Sequence, residues 1–163
     1  MNVSTDTTHN IDLKPILKVN ARIQQISTVE PGEFVSYGAL WEATHETRIA
    51  AVSIGYGDGY FRGRPNEGHL FINGKPCPIL GRVCMDTTMI DISHMPEIKV
   101  GDAVTVIDKD THRDISVEAL AERFDTIPYE ITCKLARRLY RHYIWKDREW
   151  CWDELKIELG VRE

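Results

Sequence analysis

The sequence predicts a mainly β domain, a small antiparallel barrel or sandwich that carries one or two short helices. Three observations predict it. Short β-rich runs recur along the 163 residues, Gly-, Asn- and Pro-containing turns punctuate them, and only the segment after Ser116 opens with a clear helix start.

Residues 1–14 are polar and weakly patterned and read as a lead-in peptide. Lys14-Pro15 then opens an alternating run through Ile16, Leu17, Val19, Ala21, Ile23 and Ile26, the period-2 pattern of a half-buried strand. Glu30-Pro31-Gly32-Glu33 reads as a turn, with Pro presetting φ and Gly free to take a positive φ. A strand over 34–37 follows, then strands over 49–54, 69–72, 77–80, 87–92 and 103–107, separated by Asn73-Gly74, Gly81 and Val100-Gly101-Asp102. Ile72-Asn73-Gly74-Lys75 has the composition of a hairpin. Ser116 before Val117-Glu118-Ala119-Leu120 supplies an N-cap and a first-turn acid, so a short helix starts there. Pro128 marks a break, and 129–135 fits a strand or a short helix equally. The tail, 145–163, holds Trp145, Trp150 and Trp152 and reads loosely as an extra helix.

A chain of this length buries one sizeable core, so the expectation is one domain over 15–144, flanked by the lead-in and by a Trp-rich extension over 145–163. Twenty Lys+Arg against 25 Asp+Glu leave a net charge of −5, which disfavours nucleic acid, because phosphate binding needs a basic surface. The polar stretch over 1–10 does not read as a signal peptide and no later segment reads as an apolar membrane span, so the expected location is cytoplasmic. Cysteines 77, 84, 133 and 151 form no C-x-x-C pair and read as reduced thiols, and the scattered histidines give no metal site.

Three compact motifs carry the chemistry. Val-Ser-Tyr-Gly at 35–38 puts the Tyr37 phenol at a strand end, and a phenol acts as a general base only where cations or hydrogen bonds lower its pKa from about 10. A half-buried strand tyrosine is the plainer alternative. Gly-Tyr-Gly-Asp-Gly-Tyr at 55–60 lacks the dinucleotide and Walker spacings, and its glycines permit either a β-bulge or a sharp loop that projects Tyr56 and Tyr60 and lets another backbone approach closely. In Gly-Arg-Val-Cys-Met-Asp at 81–86, Cys84 reads as a small buried hydrophobe, with Met85 and Asp86 as packing and turn residues. Arg62 and Arg64 could gather an anion or simply solvate a surface.

As an ordered set these motifs, with Leu-Lys-Pro at 13–15, Ala-Arg-Ile at 21–23, Pro-Gly-Glu at 31–33, Val-Gly-Asp at 100–102 and Ile-Pro-Tyr-Glu at 127–130, resemble the C-terminal domain of bacterial alanine racemases. Those enzymes interconvert L- and D-alanine with pyridoxal 5′-phosphate and serve D-alanine supply for peptidoglycan. The resemblance implies a two-part enzyme, with an α/β barrel holding the cofactor on a lysine and a β domain facing the barrel of the partner subunit in a dimer. It assigns the second catalytic base to Tyr37, the cofactor phosphate contact to Tyr129, the substrate-carboxylate contact to the backbone at Met85, and the entry corridor to Tyr56, Arg62 and Arg82. Asp86 takes a supporting role.

The family's Lys-Ala-Asn-Ala-Tyr-Gly carrier motif does not occur among the 163 residues, so the resemblance implies a C-terminal domain without its TIM barrel, inactive by itself. The family's Arg-Val-Pro-Arg reads Arg138-Leu139-Tyr140-Arg141 here. The alternatives are half of a split enzyme completed by a separate barrel chain, a non-catalytic β domain that binds or regulates a racemase, and a domain of a broader amino-acid racemase.

Overall fold

The structure is a computed structural model that describes residues 15–145 and 148–150. Its organising element is a long strand, β1 (Val19–Val29), whose first half alternates buried and exposed positions at Val19, Ala21 and Ile23. The N-terminal half of β1 pairs antiparallel with β8 (Ala103–Ile107), and its C-terminal half pairs with β4 (Thr47–Val52). A register shift between Ile23 and Gln25 marks the change of partner, as a bulge does when a strand turns a corner between sheet halves.

Around β1 the six-stranded order is β6 (Lys75–Pro78), β5 (His69–Ile72), β8, β1, β4 and β7 (Thr88–Asp91). All neighbours are antiparallel. The two edges approach each other through a bridge between Ile79 and Ile90 and a 2.8 Å bond from Leu80 N–H to Met89 O. The expected barrel or sandwich is therefore a curled antiparallel sheet that meets itself at a short seam.

Val19, Ile23, Val52, Leu70, Ile72, Ile90, Val104 and Val106 fill the space the sheet encloses. Two helices cap that core. In α1 (Val117–Arg123) Leu120 and Ala121 are buried, and Ser116 Oγ accepts from Ala119 N–H at 3.1 Å as the sequence predicts. The ambiguous segment is a helix, α2 (Pro128–Lys134), because Pro128 at its first position gives up no helical hydrogen bond and Ile131 reaches the core.

Several strand boundaries move. The Asn73-Gly74 hairpin forms with both residues at positive φ and Ile72 opposite Lys75, and this register starts β6 at Lys75, two residues before the expected strand. Its Pro76 and Pro78 are tolerated because β6 is an edge. The expected strand over 34–37 stops after two residues as β2 (Phe34–Val35), since Ser36 turns to φ 72, and β2 pairs with an unanticipated β3 (Trp41–Glu42). A second small core of Val35, Ile49 and Leu80 seats this hairpin on the sheet. Tyr143–Trp145 and Arg148–Trp150 form a further hairpin, β9 and β10, whose pairing reaches into the segment read as a helical tail, and 151–163 lie outside the described residues.

Tyr60, expected to project from the glycine-rich loop with Tyr56, is instead buried in the core, with its ring edge-on to Phe124. Burial pushes its phenol up to about 12, and the charge of Arg123 offsets only part of this. Neither Tyr60 Oη nor Arg123 Nη1 completes a hydrogen bond among the described residues. The folded state therefore holds the Tyr60 proton more tightly than the unfolded chain. Its contribution to stability is intact below pH about 10 and is lost as pH rises toward about 12. Tyr60→Phe is expected to stay within about 1 kcal/mol of the parent at pH 7, since it removes an unpaired hydroxyl, and to flatten the alkaline loss of stability in urea melts at pH 9 to 12.

Candidate active-site face

Tyr37 stands in the turn after β2, 71% exposed and with its hydroxyl without a partner among the described residues. Its backbone is far less free. Ser36, at φ 72, places its Oγ to donate to Arg82 O at 2.7 Å and to accept from Arg82 N–H at 2.9 Å. A left-handed serine is costly unless its surroundings hold it, and these two bonds hold it. The contact needs Gly81, because a Cβ there would lie 2.4 Å from Ser36 Cβ and the residue sits at φ 68. The loop bearing Tyr37 is thereby locked to the loop bearing Arg82 and Met85.

The second loop is locked to the third in the same way. Residues Tyr56–Asp58 form a single 3-10 turn, which resolves the glycine-rich motif as a sharp loop. Tyr56 N–H donates to Cys84 O at 3.0 Å and Gly57 N–H to Met85 O at 2.8 Å. A Cβ at Gly55 would come within 2.3 Å of Met85 O, so the close backbone approach anticipated for this motif is made, and its partner is Cys84-Met85. Cys84 is half-buried rather than enclosed, with Sγ 3.5 Å from Arg82 O. Cys77 is the buried inert thiol, pushed up to about 11 by burial and by the nearby Asp91 charge.

Sequence reasoning missed the group that ties α2 to these loops. Asp58, 7% exposed, uses one carboxylate oxygen to accept from Gly55 N–H at 2.9 Å and the other to accept from Arg138 Nε at 2.7 Å. Arg138 Nη2 donates to Asp86 Oδ1 at 2.5 Å, and Ala136 N–H donates to Asp58 O at 2.9 Å. The Asp86 carboxylate first, and Asp58 second, hold the Arg138 guanidinium still more firmly in its charged form. Asp58 was legible only as an acid between two glycines, and Arg138 as one of several arginines 80 residues away.

Tyr129 is the second residue of α2, about 9 Å along the helix from the Leu135 cap, and it is 69% exposed with no partner for its hydroxyl among the described residues. Tyr37, Tyr56, Arg82, Met85 and α2 thus belong to one hydrogen-bonded set of loops. Arg62 does not join it through any side-chain bond among the described residues; it lies one residue beyond Phe61, which stacks on Phe124 and under Lys134. Arg62, Arg64 and Arg82 carry no ion pair among the described residues, which leaves three uncompensated positive charges on the loops. The cavity of about 270 Å³ between Pro15–Lys18 and 108–111 includes none of these residues.

The family model described as "Alanine racemase, C-terminal domain" matches residues 16–143. The chain belongs to the alanine racemase C-terminal domain family. It is 42% identical over 140 residues to the alanine racemase of Halothermothrix orenii, a match covering 86% of this chain and 37% of that protein. Among solved structures, the alanine racemase of Clostridium difficile 630 in complex with cycloserine superposes with a TM-score of 0.79 at 34% identity, covering 93% of this chain and 40% of that one. The alanine racemase from Bartonella henselae with covalently bound pyridoxal phosphate gives 0.76 at 31% identity, covering 83% and 37%. The chain therefore spans well under half the length of the racemases it matches.

Replacing Ser36 by Ala removes both bonds to Arg82 and with them the contacts that hold the left-handed backbone. The variant is expected to lose about 1–3 kcal/mol in urea unfolding, with an unchanged m-value. A loss below about 0.5 kcal/mol would contradict the lock.

Proposed function

We propose that this chain supplies the β-domain half of an alanine racemase active site, with Tyr37 as the base on one face of the substrate α-carbon. One observation carries the reading: a backbone held by Arg82 presents an exposed phenol with no hydrogen-bond partner among the described residues. Exposed Phe34, Leu40, Tyr56, Met85, Ile127 and Tyr129 on the same loop system and at its α2 end give an apolar surface of the kind that a partner domain covers. The partner in this proposal is a cofactor-binding barrel, in the same or another chain, within a dimer.

The described residues fit a supporting role toward pyridoxal 5′-phosphate. Tyr129 offers a free hydroxyl to the phosphate and Tyr37 a free phenol to the α-proton, while Lys134, the lysine of α2, is engaged by Glu130 at 2.9 Å and by the Phe61 ring. When bound, the cofactor supplies the electron sink that makes the α-proton of an amino acid removable. Tyr37 would accept or return that proton at Oη, the backbone of Met85 would meet the substrate carboxylate, and Arg62 and Arg82 would draw an anionic substrate inward.

The test is racemisation of L-alanine with pyridoxal phosphate by the chain alone and after mixing with a separately expressed racemase barrel. The expected outcome is no turnover alone, turnover in the mixture, and a fall of at least about 10²-fold with Tyr37→Phe, the range removed with a general base. Full activity of the Phe variant in an active mixture would overturn the role of Tyr37.

A further inference from the structure

We propose that Arg138 is a positioning residue that sets the spacing between the substrate-carboxylate contact at Met85 and the cofactor-phosphate contact at Tyr129. The proposal rests on the reading just given of those two residues and goes beyond it.

Arg138 sits in the turn after α2, where Leu139 N–H donates to Ala136 O at 3.2 Å, and its side chain leaves the helix end for two other loops. Its planar fork is used in two directions, Nε to the buried Asp58 of the Tyr56 turn and Nη2 to the more exposed Asp86 next to Met85. It also lies across the Gly57 backbone, where an added Cβ would come within 2.7 Å of Nη2. The Tyr56 and Met85 loops are already joined to each other by backbone bonds. What Arg138 adds, with the Ala136 N–H bond, is the register of α2 against both loops. Asp86 has no other ion-pair partner among the described residues, so the Met85 side of the bridge depends on this one guanidinium. A lysine has a single charged nitrogen and cannot span both acids with the same geometry.

A mere stabilising ion pair and a positioning residue differ in what they move. Arg138→Ala leaves the buried Asp58 charge without its cation and will lower stability under either reading. Asp86→Asn is therefore the informative partner variant, because it acts at the exposed end and leaves the Asp58 pair in place. In ¹H–¹⁵N spectra of the chain alone, both variants are expected to shift the amides of Tyr56, Gly57 and Met85 and also those of α2, while β1 and β8 stay put. In the chain–barrel mixture, both are expected to raise KM for alanine by about tenfold or more and to weaken retention of pyridoxal phosphate, read from cofactor fluorescence, with a smaller change in kcat. Arg138→Lys should recover part of the loss.

Amide shifts confined to 136–139 in the chain alone, or unchanged KM and cofactor retention for Asp86→Asn in an active mixture, would overturn the proposal. If the wild-type mixture is silent, the catalytic reading fails, and the amide shifts of the chain alone still decide whether Arg138 couples α2 to the two loops.

Discussion

The buried carboxylate of Asp58 is the interaction on which the candidate site depends. A charge with this little exposure is tolerated only when its oxygens are satisfied, and here the Gly55 amide and the Arg138 guanidinium satisfy them. Each partner carries a structural consequence. The Gly55 bond closes the turn that presents Tyr56, and the Arg138 bond draws the end of α2 onto that turn. Without a cation at Asp58, the glycine-rich loop would have to open and solvate the acid.

Around this anchor the structure separates backbone from side chain. The loops over 35–38, 55–60 and 81–86 are joined by backbone amides and carbonyls, by one serine hydroxyl, and by glycines whose lack of Cβ lets carbonyls approach. Their large side chains, Tyr37, Tyr56 and Met85, are left exposed. Strain at Ser36 sits next to the residue proposed for proton transfer, where a fixed backbone limits the positions the phenol can sample. The curled sheet makes this possible by seating the β2–β3 hairpin on Val35, Ile49 and Leu80 and the helices on Leu120 and Ile131.

Much of this was legible in the sequence, for identifiable reasons. Alternation at Val19, Ala21 and Ile23, the Asn73-Gly74 hairpin and the Ser116 cap are local signals, and local geometry obeys them. The segment after Pro128 stayed ambiguous because Ile131, Cys133 and Leu135 fit either period, and packing of Ile131 into the core decides for helix. The strand over 34–37 was overread because the left-handed turn at Ser36 is imposed by Arg82, 46 residues away. The site residues followed from ordered motifs that resemble a family, whereas Asp58 and Arg138 gave no local sign of their pairing. A tertiary ion pair leaves no periodicity behind.

The central claim is that these loops are already ordered in the chain itself, whether or not the proposed partner domain covers them. Amide hydrogen exchange of the 163-residue chain tests it most directly. The account predicts that the amides of Tyr56, Gly57 and Arg82, each donated to another loop, exchange nearly as slowly as those in the β1–β4 ladder. Exchange of these three at the rate of an unstructured peptide, beside a protected ladder, would contradict it.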